Sequence, residues 1–196
     1  MYRAGALAAI RMGVSMDDDE ALTNVAESVE IELVGHGPVL LDGEDVSEAI
    51  RSPEVTRGAS VMSTVSGVRR AMVEQQRRVG HSVDCVMEGR DIGTVVFPDA
   101  ELKIFLIATL EERTRRRLAD LDALGRSADA REVRDEIAER DRRDSTREDS
   151  PLKRAVDAIE LDTTGLSIND QVAEVIRLAT DRGAVLPDDC ETGCRG

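Results

Sequence analysis

The residues best equipped for chemistry stand in one seven-residue run, Glu88-Gly89-Arg90-Asp91-Ile92-Gly93-Thr94. It follows directly on a short apolar stretch, residues 83–87, that reads as a buried parallel strand. Beyond the carboxyl end of such a strand, a Gly-Arg-Asp turn offers a guanidinium for phosphate and a carboxylate for a base amine or a hydroxyl. The plainer reading of the triplet is a glycine turn with a local Arg-Asp pair. A second concentration is Glu139-Arg140-Asp141-Arg142-Arg143-Asp144-Ser145-Thr146-Arg147, preceded by Glu111-Glu112-Arg113 and Arg115-Arg116-Arg117. Residues 111–149 hold 11 Arg and 13 acids, a mixture that a solvated helical hairpin carries as i,i+4 pairs, and for most of these charges that reading suffices. Yet four Arg fall within residues 140–147, and they repel one another unless neutralised, for which a polyphosphate is the natural partner. A mobile, Arg-bearing lid over a phosphoryl-transfer site fits the segment.

The elements that must hold these groups follow from periodicity. Apolar spacing predicts helices over 1–12 and 16–29, the second started by Asp17, Asp18, Asp19 and Glu20. Residues 31–33 and 39–41 flank Gly35-His36-Gly37-Pro38 and read as a small hairpin, with Asp42-Gly43 starting another turn. His36 is then a turn residue and His81 a loop residue. Helical spacing continues over 45–50, 55–65 and 68–79, with Pro53 and Gly67 as breaks. Residues 83–87, 102–108 and 159–161 are short apolar runs that read as buried parallel strands. Helical stretches over 110–124, 128–140 and 167–179, the last capped by Ser167, alternate with them and give an α/β layered fold. Residues 181–196, with Pro187 and no periodicity, read as a disordered tail.

Composition excludes several functions. At 196 residues, 41% hydrophobic and 34% charged, the chain can bury a sizeable core as one domain. Only Tyr2, Phe97 and Phe105 are aromatic and the formal net charge is -14, so nucleic acid is disfavoured as a partner. The 24 Arg against 2 Lys suit bidentate phosphate contacts, although nucleotide bias in the coding DNA gives the same skew. Cys85 reads as a buried thiol, and Cys190 and Cys194 lie in a polar tail, which supports neither a disulfide framework nor a metal site. No run approaches the roughly 20 apolar residues of a membrane span and none resembles an export signal, so a cytoplasmic location is expected.

The run Val86-Met87-Glu88-Gly89-Arg90-Asp91-Ile92-Gly93-Thr94-Val95-Val96-Phe97-Pro98-Asp99-Ala100-Glu101-Leu102-Lys103-Ile104-Phe105-Leu106 strongly resembles bacterial cytidylate kinase. So do the Glu139 to Arg147 segment with Pro151-Leu152, and Leu161-Asp162-Thr163-Thr164-Gly165-Leu166-Ser167-Ile168. Met1-Tyr2-Arg3-Ala4 and Leu41-Asp42-Gly43-Glu44-Asp45-Val46 match upstream in order, so the resemblance covers all but the tail. It implies an α/β, P-loop NTPase-like nucleoside monophosphate kinase over 1–180, with a parallel sheet, an NMP-binding insert at about 30–82 and an Arg-rich lid with flanking helices at about 111–150. It implies transfer of the γ-phosphoryl of ATP, with Mg²⁺, to CMP or dCMP by a monomer that needs no nucleic acid or membrane. By motif match, Arg3 and Arg90 would hold the acceptor phosphate, and Ser60, Arg69 and Asp91 would read the cytosine. Asp144 and Arg147 would contact acceptor sugar or phosphate, and Arg140, with Arg116 and Arg117 nearer the ATP, would offset charge on the transferring group.

One departure is serious. The chain has no G-x-x-x-x-G-K-[ST], and neither Lys103 nor Lys153 follows a glycine. In the family that loop sits upstream of the segment resembling Met1-Tyr2-Arg3, so the P-loop strand and helix are expected to be missing. Either Met1 is an internal methionine of a complete kinase, or a truncated product exists that binds CMP without catalysis. The first is favoured, because a sheet without its central strand leaves apolar faces and edges uncovered.

Overall fold

Small side chains set the architecture of the first half of the chain. A computed structural model describes residues 1–33, 37–147 and 149–185, and the chain divides into two compact units, Met1–Glu88 and Gly89–Gly196. In the first, α1 (Tyr2–Arg11) buries Ala4, Gly5, Ala6, Leu7, Ala8 and Ala9. Its thin surface lets α3 (Pro53–Met62) approach until a Cβ on Gly58 would lie 3.3 Å from the Ala6 Cβ. The flexible Met62 and Met72 fill the remaining space beside Gly5.

The helix α2 (Asp19–Ser28) starts three residues later than expected, because the Asp18 carboxylate accepts the Ala21 amide and fixes the N-terminus there. The expected hairpin forms from β1 (Ile31–Leu33) and β2 (Val39–Leu41), antiparallel with Ile31 opposite Leu41, and β3 (Glu44–Asp45) adds a third strand. Asp42 and Gly43 supply the positive φ angles, 50° and 81°, of the turn between β2 and β3. The helix expected over 45–50 is only a 3₁₀ turn, Ala49–Arg51, since Asp45 pairs in β3 and its carboxylate accepts the Ser47 amide and hydroxyl.

Gly67, expected as a break, lies in the first turn of α4 (Ser66–Ser82). A Cβ there would stand 2.3 Å from Thr23 Oγ1 and 2.9 Å from Thr23 Cβ, so glycine lets α4 pack on α2. Although alanine gains up to about 1 kcal/mol in helix propensity, Gly67→Ala is expected to destabilise the protein by about 1–3 kcal/mol through overpacking. Thermal unfolding checks this, and Thr23→Ala should restore part of the loss. His81 occupies the last turn of α4 rather than a loop.

Gln75 is buried and fully used: its Nε2 donates to the carbonyls of Ala26 and Val29, and its Oε1 accepts the Ile31 amide at 3.3 Å. Replacing it with Leu strands these backbone groups and should cost about 1–3 kcal/mol in urea unfolding.

Residues 83–87 form no strand, and Val83, Cys85 and Val86 are exposed. A strand persists only in a ladder, and among the described residues this run has no pairing partner. The thiol of Cys85 is therefore not buried. His36, Cys190 and Cys194 lie outside the described residues.

In the second unit, β4 (Ile104–Ile107) and β5 (Ile159–Asp162) pair in parallel, Ile104 opposite Ile159. Lys103, just before β4, is 8% exposed; its Nζ donates to the Pro98 carbonyl and lies 2.6 Å from Asp157 Oδ2. Leu106 remains half exposed, unlike a strand sandwiched between layers. The helices α5 (Leu110–Ala123), α6 (Ala130–Thr146) and α7 (Ile168–Thr180) start at Thr109, Asp129 and Ser167, whose side chains each accept a first-turn amide. Helix α6 runs six residues beyond the expected end at Arg140, which brings Asp141 and Asp144 onto the helix that carries Arg140. The expected tail is ordered at its start: Asp181 caps α7, and Ala184 donates to the Ala179 carbonyl. Residues 186–196 lie outside the described part.

Candidate functional site

Two segments of the second unit build the site. Gly89-Arg90-Asp91 runs into a widened π turn, Ile92–Val96, in which the Asp91 carbonyl accepts the Val95 amide at 2.8 Å and those of Thr94 and Val96 at 3.3 Å. Such single π turns concentrate at functional sites, since the extra residue re-aims side chains. This one leaves the Asp91 side chain buried, with Oδ2 3.9 Å from Arg147 Nη2.

The other contributor is the C-terminal part of α6, where Asp141, Asp144 and Arg147 recur three residues apart and so share one face. Asp144 is buried. Its Oδ2 lies 3.3 Å from Arg90 Nε and 3.8 Å from Arg140 Nε, and its Oδ1 is 3.8 Å from Arg147 Nη1. Asp141 Oδ1 lies 4.0 Å from Arg90 Nη1, while its Oδ2 accepts Arg113 Nη1 at 2.5 Å. The anchor is completed by backbone: Leu152 donates to the Asp144 carbonyl, and Arg147 Nε donates to the Ser150 carbonyl.

Four guanidiniums (Arg90, Arg113, Arg140, Arg147) thus meet three carboxylates (Asp91, Asp141, Asp144), a lattice with one positive charge in excess that favours an anion. The Oδ2 atoms of Asp91 and Asp144 are buried without a hydrogen-bond donor. A buried acceptor in that state is costly unless a donor fills it. A ligand that combines an anionic group with amine or hydroxyl donors satisfies both halves of the site.

Arg116 is engaged: Nε donates to Glu112, Nη1 to Thr163 Oγ1 and Nη2 to the Thr163 carbonyl, joining α5 to the end of β5. Arg117 is exposed on α5. In the first unit, Arg3 Nη1 donates to the Ile50 carbonyl at 3.1 Å, Ser60 lies half-buried on α3, and Arg69 is buried on α4. The Arg69 guanidinium donates to the carbonyls of Ser63 and Thr64 and to Ser66 Oγ, closing the α3–α4 turn. Arg90, Asp91, Arg140, Asp144 and Arg147 therefore come together within one unit. Sequence reasoning missed Arg113 and Asp141, although the three-residue spacing of Asp141 and Asp144 within the charged run was a usable signal.

Glu112 shows how strongly this charged hairpin is internally paired. Hydrogen bonds first from Arg115 and then from Arg116 hold its carboxyl at about 2. A depressed carboxyl contributes stability above the ordinary glutamate range, about 4.3, and loses it as pH falls toward 2. A carboxyl NMR titration should give a midpoint of about 2 for Glu112, and Arg115→Ala should move that midpoint up.

A family model described as cytidylate kinase matches residues 1–181. The chain is 47% identical over 184 residues to a cytidylate kinase of Solibacter usitatus (strain Ellin6076), covering 93% of this chain and 79% of the relative. It is 44% identical over 185 residues to a cytidylate kinase of Bacillus velezensis, covering 93% and 83%. A bifunctional pantoate ligase/cytidylate kinase of Synechococcus sp. (strain JA-3-3Ab) is 46% identical over 185 residues, 91% of this chain and 34% of that protein.

Proposed function

This chain belongs to the cytidylate kinase family of nucleoside monophosphate kinases, which take ATP as phosphoryl donor, and from that premise we propose that the Arg-Asp lattice is its acceptor site for CMP and dCMP. The observation that carries the reading is the pair of donor-less buried oxygens, Asp91 Oδ2 and Asp144 Oδ2, set among guanidiniums. The acceptor phosphate takes the excess positive charge at Arg90 and Arg147, while nucleoside donors, the cytosine amine and sugar hydroxyls, satisfy the carboxylates. Arg3, Ser60 and Arg69 are assigned to acceptor phosphate and cytosine by their motif positions in the insert at about 30–82 and at the N-terminus.

In the reaction an oxygen of the acceptor phosphate forms a bond to the γ-phosphorus of ATP as the bond from that phosphorus to the β-bridging oxygen breaks. The chain's part is positioning and charge stabilisation. Arg90 fixes the acceptor through the oxygens that do not attack. Arg140, with Arg116 and Arg117 toward the donor, offsets charge on the moving group from the lid formed by α5 and α6. Mg²⁺ is part of the donor substrate as MgATP; among the described residues no three His, Cys, Asp or Glu side chains could hold an ion by themselves. No described helix is long and apolar enough to cross a membrane, and a monomer in the cytoplasm is the working assignment.

Calorimetric titration tests the acceptor reading. CMP should bind more tightly than cytidine, and Arg90→Ala should weaken CMP by about 1.5–3 kcal/mol, the worth of a charged hydrogen bond, with cytidine unchanged. Arg90→Lys should recover part of the loss, since it keeps the charge without the fork. CMP affinity within twofold of wild type in Arg90→Ala would make the Gly-Arg-Asp turn structural.

A further inference from the structure

Arg90 is held from two sides by α6. Asp144 Oδ2 faces its Nε at 3.3 Å and Asp141 Oδ1 faces its Nη1 at 4.0 Å. Because Nε–H shares its edge with Nη2 and not with Nη1, the two carboxylates hold the guanidinium from different directions. Asp141 differs from Asp144 in its second oxygen, which accepts Arg113 Nη1 of α5 at 2.5 Å. That bond stops the Asp141 carboxylate from turning, and the same carboxylate touches both Arg113 of α5 and the acceptor arginine. The path runs α5 to α6 to the Gly-Arg-Asp turn through three side chains, each half-buried rather than solvated.

We propose that Asp141 is a positioning residue, locked by Arg113, that aims the Arg90 guanidinium at the acceptor phosphate. The proposal rests on Arg90 being the phosphate contact and adds how its aim is set. Arginine has a long side chain with several rotamers, and a fork earns its affinity only when its donors are already oriented. Asp144 alone pins the Nε edge. The Asp141 contact is what fixes rotation about it. Because Asp141 is itself tied to α5, displacement of α5 against α6 alters the aim of Arg90, so acceptor-phosphate recognition and the arrangement of the lid helices are linked through one carboxylate.

The test is the ratio of CMP to cytidine affinity, measured by NMR or calorimetric titration on the 196-residue chain, because that ratio isolates the phosphate contact. Asp141→Asn should lower it several-fold, on the order of threefold to tenfold for loss of preorganisation at a charged contact, with cytidine affinity within twofold of wild type. Arg113→Ala should lower the ratio to a similar extent, Arg113→Lys should retain most of it, and Arg113→Ala in the Asp141→Asn background should lower it no further. Should Asp141→Asn fold poorly, the two Arg113 variants carry the comparison, with circular dichroism confirming their fold. An unchanged ratio, or equal losses for CMP and cytidine, overturns the positioning role while leaving Arg90 as the phosphate contact. A wild-type chain that binds CMP no more tightly than cytidine overturns the Arg90 assignment and the positioning role with it.

Discussion

Asp144→Ala is expected to lose about 3–5 kcal/mol of unfolding free energy, the range for removing one partner of a buried ion pair. The carboxylate is 9% exposed and faces Arg90, Arg140 and Arg147 at 3.3, 3.8 and 3.8 Å. Arg140 is 62% exposed and Arg90 38%, so water compensates much of their charge, whereas Arg147 is only 13% exposed and bears most of the penalty. Asp144→Asn keeps the shape and should fall between the two. Urea unfolding measures the loss, and inorganic phosphate should restore more stability to Asp144→Ala than to wild type by binding the released guanidiniums. A loss below about 1 kcal/mol would show that solvent screens the lattice as it does a surface pair.

The second large effect is kinetic. If Arg140 stabilises charge mainly as the phosphoryl group moves, Arg140→Ala should lower kcat and kcat/KM together by on the order of 10²–10³-fold, with little change in KM. The appropriate assay is steady-state CMP phosphorylation. Arg140 pairs with Asp144 one turn later at 3.8 Å, yet 62% of its side chain stays exposed. The plainer role is a helical i,i+4 pair worth about 0.3–0.5 kcal/mol. An unchanged kcat accompanied by a stability loss of that size would assign Arg140 to the helix surface.

What the sequence disclosed depended on the range of the forces involved. Ser167 was legible as a cap because its partner, the amide of Asp170, is three residues away, and the full capping box forms there. The turn at Asp42-Gly43 was legible for the same reason, although the strand that follows it was not. Gly67 was misread, because what requires glycine there is Thr23 on another helix, a contact with no trace in local pattern. Residues 83–87 were misread because apolar β-branched composition says nothing about whether a ladder partner exists. Within the site, Arg90, Asp91, Arg140, Asp144 and Arg147 were legible from motif and resemblance. Asp141 was obscured by the acids around it: only the fold separates a carboxylate that bridges Arg90 and Arg113 from one that faces water.

The enclosure of Lys103 makes the chain unusually simple to label. Of its two lysines, Lys103 is shut against Pro98 and Asp157, while Lys153 is exposed. Amine-directed reagents therefore discriminate between the two lysines on access alone, in favour of Lys153. Its neighbour Leu152 donates to the Asp144 carbonyl, so a dye attached there sits one residue from the strut that supports the acceptor lattice. Such a dye is expected to report nucleotide binding as a change in emission without a cysteine substitution anywhere in the chain.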